Sequence, residues 1–207
     1  MTQPATDHRR ATAERNVASI LDAAERLLEG GRQLTIAAVA NEAGVSRVTV
    51  YSHFEGLQQL LEALVERAVR QSVEAIEAAE PDRGPADEAL QRVIEVSWEE
   101  LGRHQGIGRG AAVELSAHAM RRSHETAHGL VRRLVDRGRA EKTFRTDVSA
   151  DWLVTSFFAL VHAARDEVLA GQTDRDGALA DLRATLGDLF VGRSASRVRP
   201  SARERSP

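Results

Sequence analysis

The stretch Leu34–Leu61, LTIAAVANEAGVSRVTVYSHFEGLQQLL, limits what this chain can fold into more than any other part of it. Ile36, Val39, Ala40 and Ala43 recur three and four residues apart, the spacing of one helical face. Thr35 stands ahead of them as an N-cap, its hydroxyl able to accept an unpaired N–H of the first turn. Gly44 follows, where a helix end needs a residue that tolerates positive φ. Val45 then turns inward, and Ser46 caps a second short helix running to about Phe54. Val50 and Phe54, four residues apart, form the buried pair of that helix. Arg47, Val48, Thr49, Tyr51, Ser52 and His53 are left largely on its outer faces. Two short helices at a tight turn make a helix-turn-helix. One cation, hydroxyls, small side chains and a phenol suit the major groove of DNA. The same pattern also fits a helical hairpin whose polar face is merely solvated.

A family resemblance separates those two readings. Together with Ile20-Leu21-Asp22-Ala23-Ala24, the stretch resembles the N-terminal domain of TetR-type (tetracycline-repressor-like) transcriptional regulators. The matching elements are a first helix ending in glycine, Thr35, Val39-Ala40, Ala43-Gly44-Val45-Ser46, Thr49-Val50-Tyr51 and His53-Phe54. The resemblance covers roughly the first quarter of the chain. It implies an all-α fold, in which an N-terminal three-helix helix-turn-helix domain is joined by a long helix to a helical ligand-binding and dimerisation domain. It also implies a sequence-specific DNA-binding regulator, a repressor that grips a palindromic operator as a dimer and is released by a small molecule.

Carried over residue by residue, Arg47 and Val48 fall at base-reading positions. A guanidinium has parallel donors for O6 and N7 of guanine, and valine methyls pack on a thymine methyl. Thr49, Tyr51 and His53 fall where the family contacts the backbone or adjacent bases, with Ser46 and Ser52 close by. Thr35 can donate to a phosphate as well as cap its helix. Packing is the competing role for Tyr51, and capping the helix end for His53. Two positions depart from the family. Leu57 replaces a lysine that commonly begins the fourth helix, and Ala37 replaces a frequent basic residue. Both losses reduce phosphate grip and the salt dependence of binding.

Totals alone conceal this function. The net charge of −3 over 207 residues does not advertise a nucleic-acid partner. A hydrophobic fraction of 42% is ordinary for a protein with a real core. No apolar run is long enough for a membrane helix, and MTQPATDHRR has no apolar segment of a secretory leader, so a cytoplasmic location is expected. The absence of cysteine excludes disulfides, thiol catalysis and thiolate metal sites. Local charge says more. Arg9, Arg10 and Arg15 precede or begin the first helix, while Arg193, Arg197, Arg199, Arg203 and Arg205 face only Glu204. The first group can reach DNA as an arm; the second reads as a solvated tail that can bind phosphate non-specifically.

Residues 1–11 are expected to form a disordered arm, 12–56 the helix-turn-helix domain, 57–192 the ligand-binding and dimerisation domain, and 193–207 a basic disordered tail. Within this frame the first helix is expected from about Thr12 to Glu29, stopping at Gly30-Gly31, and a long fourth from Leu57 to about Ala79. After the break at Glu80–Pro85, helices are expected over Ala86–Arg103, Ala111–Ala117, Met120–Arg139, Ser149–Ala170 and Asp174–Val191. No strand pattern or repeat interrupts them.

Trp152–Val161 is apolar around much of its circumference, so it must be covered on more than one side. By the resemblance, the last two long helices pair with those of a second copy as a four-helix bundle. The resemblance also implies a small-molecule pocket, whose binding shifts the fourth helix and changes the separation of the reading heads. Candidates for its lining are Trp98, His104, Glu114, His118, Met120, Trp152, Phe157, Phe158 and His162, each of which also fits plain core. His124 and His128 have a spacing that can hold a metal, yet Arg121 and Arg122 adjoin them, and solvated histidines fit better. No catalytic constellation, phosphate loop or dinucleotide fingerprint appears, and neither a cofactor nor a metal is expected. Two other readings stay open: a helical ligand-binding module that no longer reads DNA, and a helical enzyme using histidine-bound metal.

Overall fold

The computed structural model describes residues 4–107 and 117–192, with side chains described over 10–107 and 125–192. Every element in these ranges is an α-helix: α1 (Pro4–Glu29), α2 (Ile36–Ala43), α3 (Arg47–Tyr51), α4 (Leu57–Ala78), α5 (Ala86–Arg103), α6 (Ala117–Ala140), α7 (Ala150–Leu169) and α8 (Arg175–Val191). Glu114, the short helix expected at Ala111–Ala117 up to its last residue, and the tail from Arg193 onward lie outside the described residues. The side chains of His118, Met120 and His124 do so as well. No helix among the described residues is long and apolar enough to cross a membrane.

Helix α1 begins at Pro4, well before the Thr12 start that the sequence predicts, and takes in most of the expected arm. The local chemistry accounts for this. Proline is favoured in the first turn, where its missing N–H costs nothing, and Ala5, Ala11, Ala13 and the arginines between them are good helix formers. Arg10 then pairs with Glu14 one turn on, Nε to Oε1 at 3.0 Å.

The helices gather into two compact units, one of Met1–Ala79 with Val96–Leu130, the other of Glu80–Glu95 with Val131–Pro207. In the first, Ile20, Leu21, Ala24 and Leu27 of α1 share a core with Val39 and Ala40 of α2, Val50 of α3, Phe54, and Leu60, Leu64, Val65 and Ala68 of α4. Ile107 closes the same core. Gly106 makes this possible, because a Cβ there would lie 2.8 Å from the backbone carbon of Leu28 and 2.9 Å from the nitrogen of Glu29. Any other residue would push the chain off α1.

In the second unit the phenylalanines gather. Phe190 of α8 meets Phe144 edge-on at 5.4 Å and Phe157 of α7 at 6.4 Å, and Phe157 also meets Phe158 at 5.2 Å. Ser149 caps α7 by accepting from the N–H of Trp152 at 3.1 Å, and Asp174 caps α8 by accepting from Gly177 at 2.7 Å. The connection before α7 is tied down at Arg145, whose N–H donates to the carbonyl of Phe190 at 2.8 Å. The Arg145 guanidinium also donates to both oxygens of Asp147, which holds that carboxyl down at about 2.

Candidate nucleic-acid interface

The turn between α2 and α3 is built from caps at both ends. The Thr35 hydroxyl accepts from the N–H of Ala38 at 3.1 Å, so α2 starts where the sequence places it. At its other end Gly44 takes φ 68°, the left-handed conformation that glycine adopts without a Cβ penalty. The N–H of Gly44 returns to Asn41 and that of Val45 to Ala40, at 3.2 and 3.0 Å, the paired bonds of a Schellman ending. Ser46 then opens α3, its Oγ accepting from the N–H of Thr49 at 3.0 Å and sharing a second bond with the Thr49 hydroxyl at 2.9 Å. Ser52 closes the helix by donating to the Thr49 carbonyl at 2.7 Å. These contacts hold a helix that is far too short to persist by propensity.

Inside, Val50 and Phe54 are buried as the four-residue spacing predicts, although the helix itself stops at Tyr51 and Phe54 lies beyond it. Outside, Val48 is 77% exposed and Tyr51 57% exposed, although both carry large apolar groups that a free-standing protein gains by burying. Arg47 is exposed and makes no hydrogen bond or ion pair among the described residues. Ser52 is exposed too, while Thr49 and His53 are half-buried. The candidate residues therefore divide. Thr35, Ser46, Thr49 and Ser52 spend hydroxyl contacts on the helices themselves. Arg47 and Val48 lie four and three positions before Tyr51, and all three side chains are exposed.

The electrostatic setting is sparse. Arg47 is the only lysine or arginine between Gln33 and Glu66. Arg26 and Arg32 are engaged by Glu42, at 3.2 and 3.3 Å. Ala37 and Leu57 are half-buried, and Gly56 begins α4 without a side-chain cap. Gln59 reaches back instead, its Oε1 accepting from the N–H of Glu55 at 2.6 Å.

The ligand candidates are dispersed. Trp98 and His104 are buried in the first unit. Phe157 and Phe158 belong to the phenylalanine group of the second unit, where His162 is half-buried and Trp152 lies 58% exposed. Beside His104 the structure brings together residues that the sequence pattern left unmarked. Its Nδ1 is 3.3 Å from Oε1 of Glu25 on α1, and its Nε2 is 3.5 Å from Oε2 of Glu100 on α5. Arg67 of α4 pairs with both Asp22 and Glu25, and Arg103 with Glu100. Glu100 is only 4% exposed. One signal was available. Val93, Ser97, Glu100 and His104 follow one another at four, three and four residues, a single helical stripe, and its apolar start marks it as buried.

Comparison with known proteins agrees with this geometry. Residues 20–64 match the family model described as bacterial regulatory proteins, tetR family. The HTH-type transcriptional repressor LfrR of Mycolicibacterium smegmatis is 38% identical over 95 residues, which are 46% of this chain and 49% of that one. The chain thus spans about half the length of that relative at the sequence level. Solved structures extend the likeness of fold. LfrR from Mycobacterium smegmatis in complex with proflavine superposes with a TM-score of 0.66 and 24% identity, over 85% of this chain and 96% of that one. A transcriptional regulator from Saccharomonospora viridis in complex with choline gives 0.73 and 22%, over 87% and all (100%) of the two chains.

Proposed function

We propose, from the match of residues 20–64 to the tetR family model, that the chain is a DNA-binding transcriptional repressor of that family. On this reading it works in the cytoplasm as a homodimer on a palindromic operator and leaves DNA when a small molecule binds. The observation that carries the reading is α3: a five-residue helix held by caps at both ends, with the side chains of Arg47, Val48 and Tyr51 exposed on it and in no hydrogen bond or ion pair among the described residues. Exposed apolar side chains next to a free guanidinium have a use against base edges, where methyl and acceptor groups alternate. Arg47 reads a guanine, Val48 an adjacent thymine methyl, and the hydroxyl side chains with His53 position the helix on the backbone.

Dimerisation is supported by α7 and α8. Trp152 and Val191 are exposed and Phe158, Leu160, Leu179 and Leu189 only half-buried, which leaves apolar surface on both helices for a second copy to cover. Two copies match two half-sites about one helical turn of DNA apart. The structures with proflavine and choline hold organic cations, which makes that class of effector the first to try. The low local charge favours one further reading, a ligand-binding module without DNA selectivity, because Leu57 and Ala37 supply no cation.

Replacing Arg47 separates these readings. Arg47→Ala is expected to cost about 1–3 kcal/mol at one base pair of each half-site and to leave discrimination at the other positions in place. Fluorescence anisotropy on a set of single-base operator variants reads this directly. An equal loss on every duplex would mean that Arg47 only grips phosphate.

A further inference from the structure

We propose that Arg67 is a specificity-determining residue of the DNA reader: by fixing α4 on α1 in one orientation, it sets which spacing of two half-sites the dimer accepts. The proposal rests on the dimeric DNA-binding reading above and gives its geometry a residue. The guanidinium of Arg67 forks across α1. One terminal nitrogen donates to Oδ1 of Asp22 at 2.6 Å and the other to Oε2 of Glu25 at 2.5 Å. The two carboxylates are three residues apart, so about 4.5 Å of helix rise separates them. A slide of α4 along α1, or a change in its crossing angle, breaks at least one of the two bonds.

Burial sets this pair apart. Arg10, Arg26, Arg32 and Arg103 also pair with carboxylates in this unit, through side chains more than half exposed. Such pairs contribute little. The Arg67 side chain is 15% exposed, and its Nε has neither a hydrogen-bond partner nor contact with solvent. Desolvation cancels much of the attraction in a buried ion pair, whose best-attested use is to select one register among several. Cohesion comes from elsewhere. Leu60, Leu64, Val65 and Ala68 of α4 share a core with Ile20, Leu21, Ala24 and Leu27 of α1. That packing has no preferred direction, whereas a guanidinium fork does.

The place of Arg67 along α4 gives the fork its effect. It adjoins Ala68, the last buried residue that α4 gives to the core of the reading head. The next ten residues of α4, Val69–Ala78, rise about 15 Å and bury only Ile76. They lead the chain on toward α7 and α8, which carry the dimer reading. A swing of about 10° at Arg67 displaces the far end of that arm by about 2.6 Å. One base pair added between half-sites moves one of them by about 3.4 Å and turns it by about 35°. The two displacements are of similar size, so freedom at Arg67 appears on DNA as tolerance of a neighbouring spacing.

The test is selection of binding sequences from a random duplex pool by the full chain, in parallel for wild type, Arg67→Met, Arg67→Lys and Asp22→Ala. Thermal melting confirms that each variant is folded. Wild type is expected to enrich one spacing, with those one base pair longer or shorter at least about tenfold rarer, the effect of one lost base contact. Arg67→Met keeps the apolar stem and removes the fork. It is expected to shrink that preference at least about threefold, with the bases preferred inside each half-site unchanged. Arg67→Lys retains the charge as a point without the fork, and is expected to behave like the methionine variant. Asp22→Ala removes one prong at a more than half-exposed side chain and is expected to give a smaller shift in the same direction. It decides the matter if the Arg67 variants do not fold. Spacing as sharp as wild type in the folded variants overturns the proposal, as does a wild type that enriches half-sites at no fixed spacing. Loss of base preference in step with spacing also overturns it, since that marks a merely loosened reading head. A wild type that enriches no half-site at all sinks the repressor reading, and this proposal with it.

Discussion

Helices α3 and α5 use polar residues in opposite ways. On α3 the hydroxyls of Ser46, Thr49 and Ser52 are answered within the helix, while Arg47, Val48 and Tyr51 stand free in solvent. On α5, Ser97, Glu100 and His104 turn inward, with His104 Nε2 facing Glu100 Oε2 at 3.5 Å, and Leu90, Val93, Ile94 and Trp98 of the same helix are buried. The contrast separates two sources of stability. A five-residue helix has almost no core of its own, so it is fixed by caps, and its outer side chains are free for a partner. A long helix that buries many apolar groups gains about 25 cal/mol per Å² and is held by its core rather than by caps. The candidate DNA-reading residues sit on the outside of the first helix, while the inside of the second is core.

One substitution made on both helices breaks or confirms the contrast with the largest effect. Val93→Ala on α5 removes two buried methyl-sized groups and is expected to cost about 2 kcal/mol of unfolding free energy in urea. Val48→Ala on α3 makes the same chemical change at a 77% exposed site and is expected to stay within about 0.5 kcal/mol. Similar costs at the two positions would mean that Val48 packs against the protein in solution.

Ser46→Ala comes next in size. Loss of the cap is expected to cost about 1 kcal/mol and to weaken DNA binding further, because α3 frays from the end that holds Arg47. A fall in affinity without a fall in stability would make Ser46 a DNA contact rather than a cap.

The smallest effect concerns Asp147, an exposed group whose partner is fully in place, as on α3. Its carboxyl is held at about 2 against an ordinary 3.8, chiefly by the hydrogen bonds from Arg145. Because the folded value is the lower one, the contribution is present above 3.8 and is lost as pH falls through about 2. Asp147→Asn is expected to flatten the acid limb of stability in that window and to lower melting at neutral pH slightly, since the pair is exposed and screened. No change at neutral pH would show that the pair contributes nothing in solution.

What could be read from the sequence follows the range of the interaction. Thr35, Gly44 and Ser46 act on neighbours within a few residues, so their types and spacing were enough to place α2, the turn and α3. Val50 and Phe54 were legible for the same reason, since one helical turn fixes which side they share. The meeting of Glu25 with His104 was not, because it joins positions 79 apart in the chain and depends on Gly106 letting the end of α5 approach α1. Glu100 escaped notice because a glutamate in a helix usually reads as solvated, and only its place on the Val93–Ser97–His104 stripe tells otherwise. The early start of α1 at Pro4 was hidden by a polar, arginine-rich composition that looks like a free arm. The locations of Trp152 and Phe157 show the limit of residue type as a guide: both are large aromatics on α7, and one is 58% exposed while the other is fully buried.

The most direct test of the account is selection of binding sequences from a random duplex pool by the purified full chain, at near-physiological salt and without added ligand. Enrichment of a palindrome with a guanine beside a thymine in each half-site, lost at that guanine in Arg47→Ala, is the predicted result. A folded, dimeric protein that enriches nothing would contradict it and leave the chain as a ligand-binding module without a code to read.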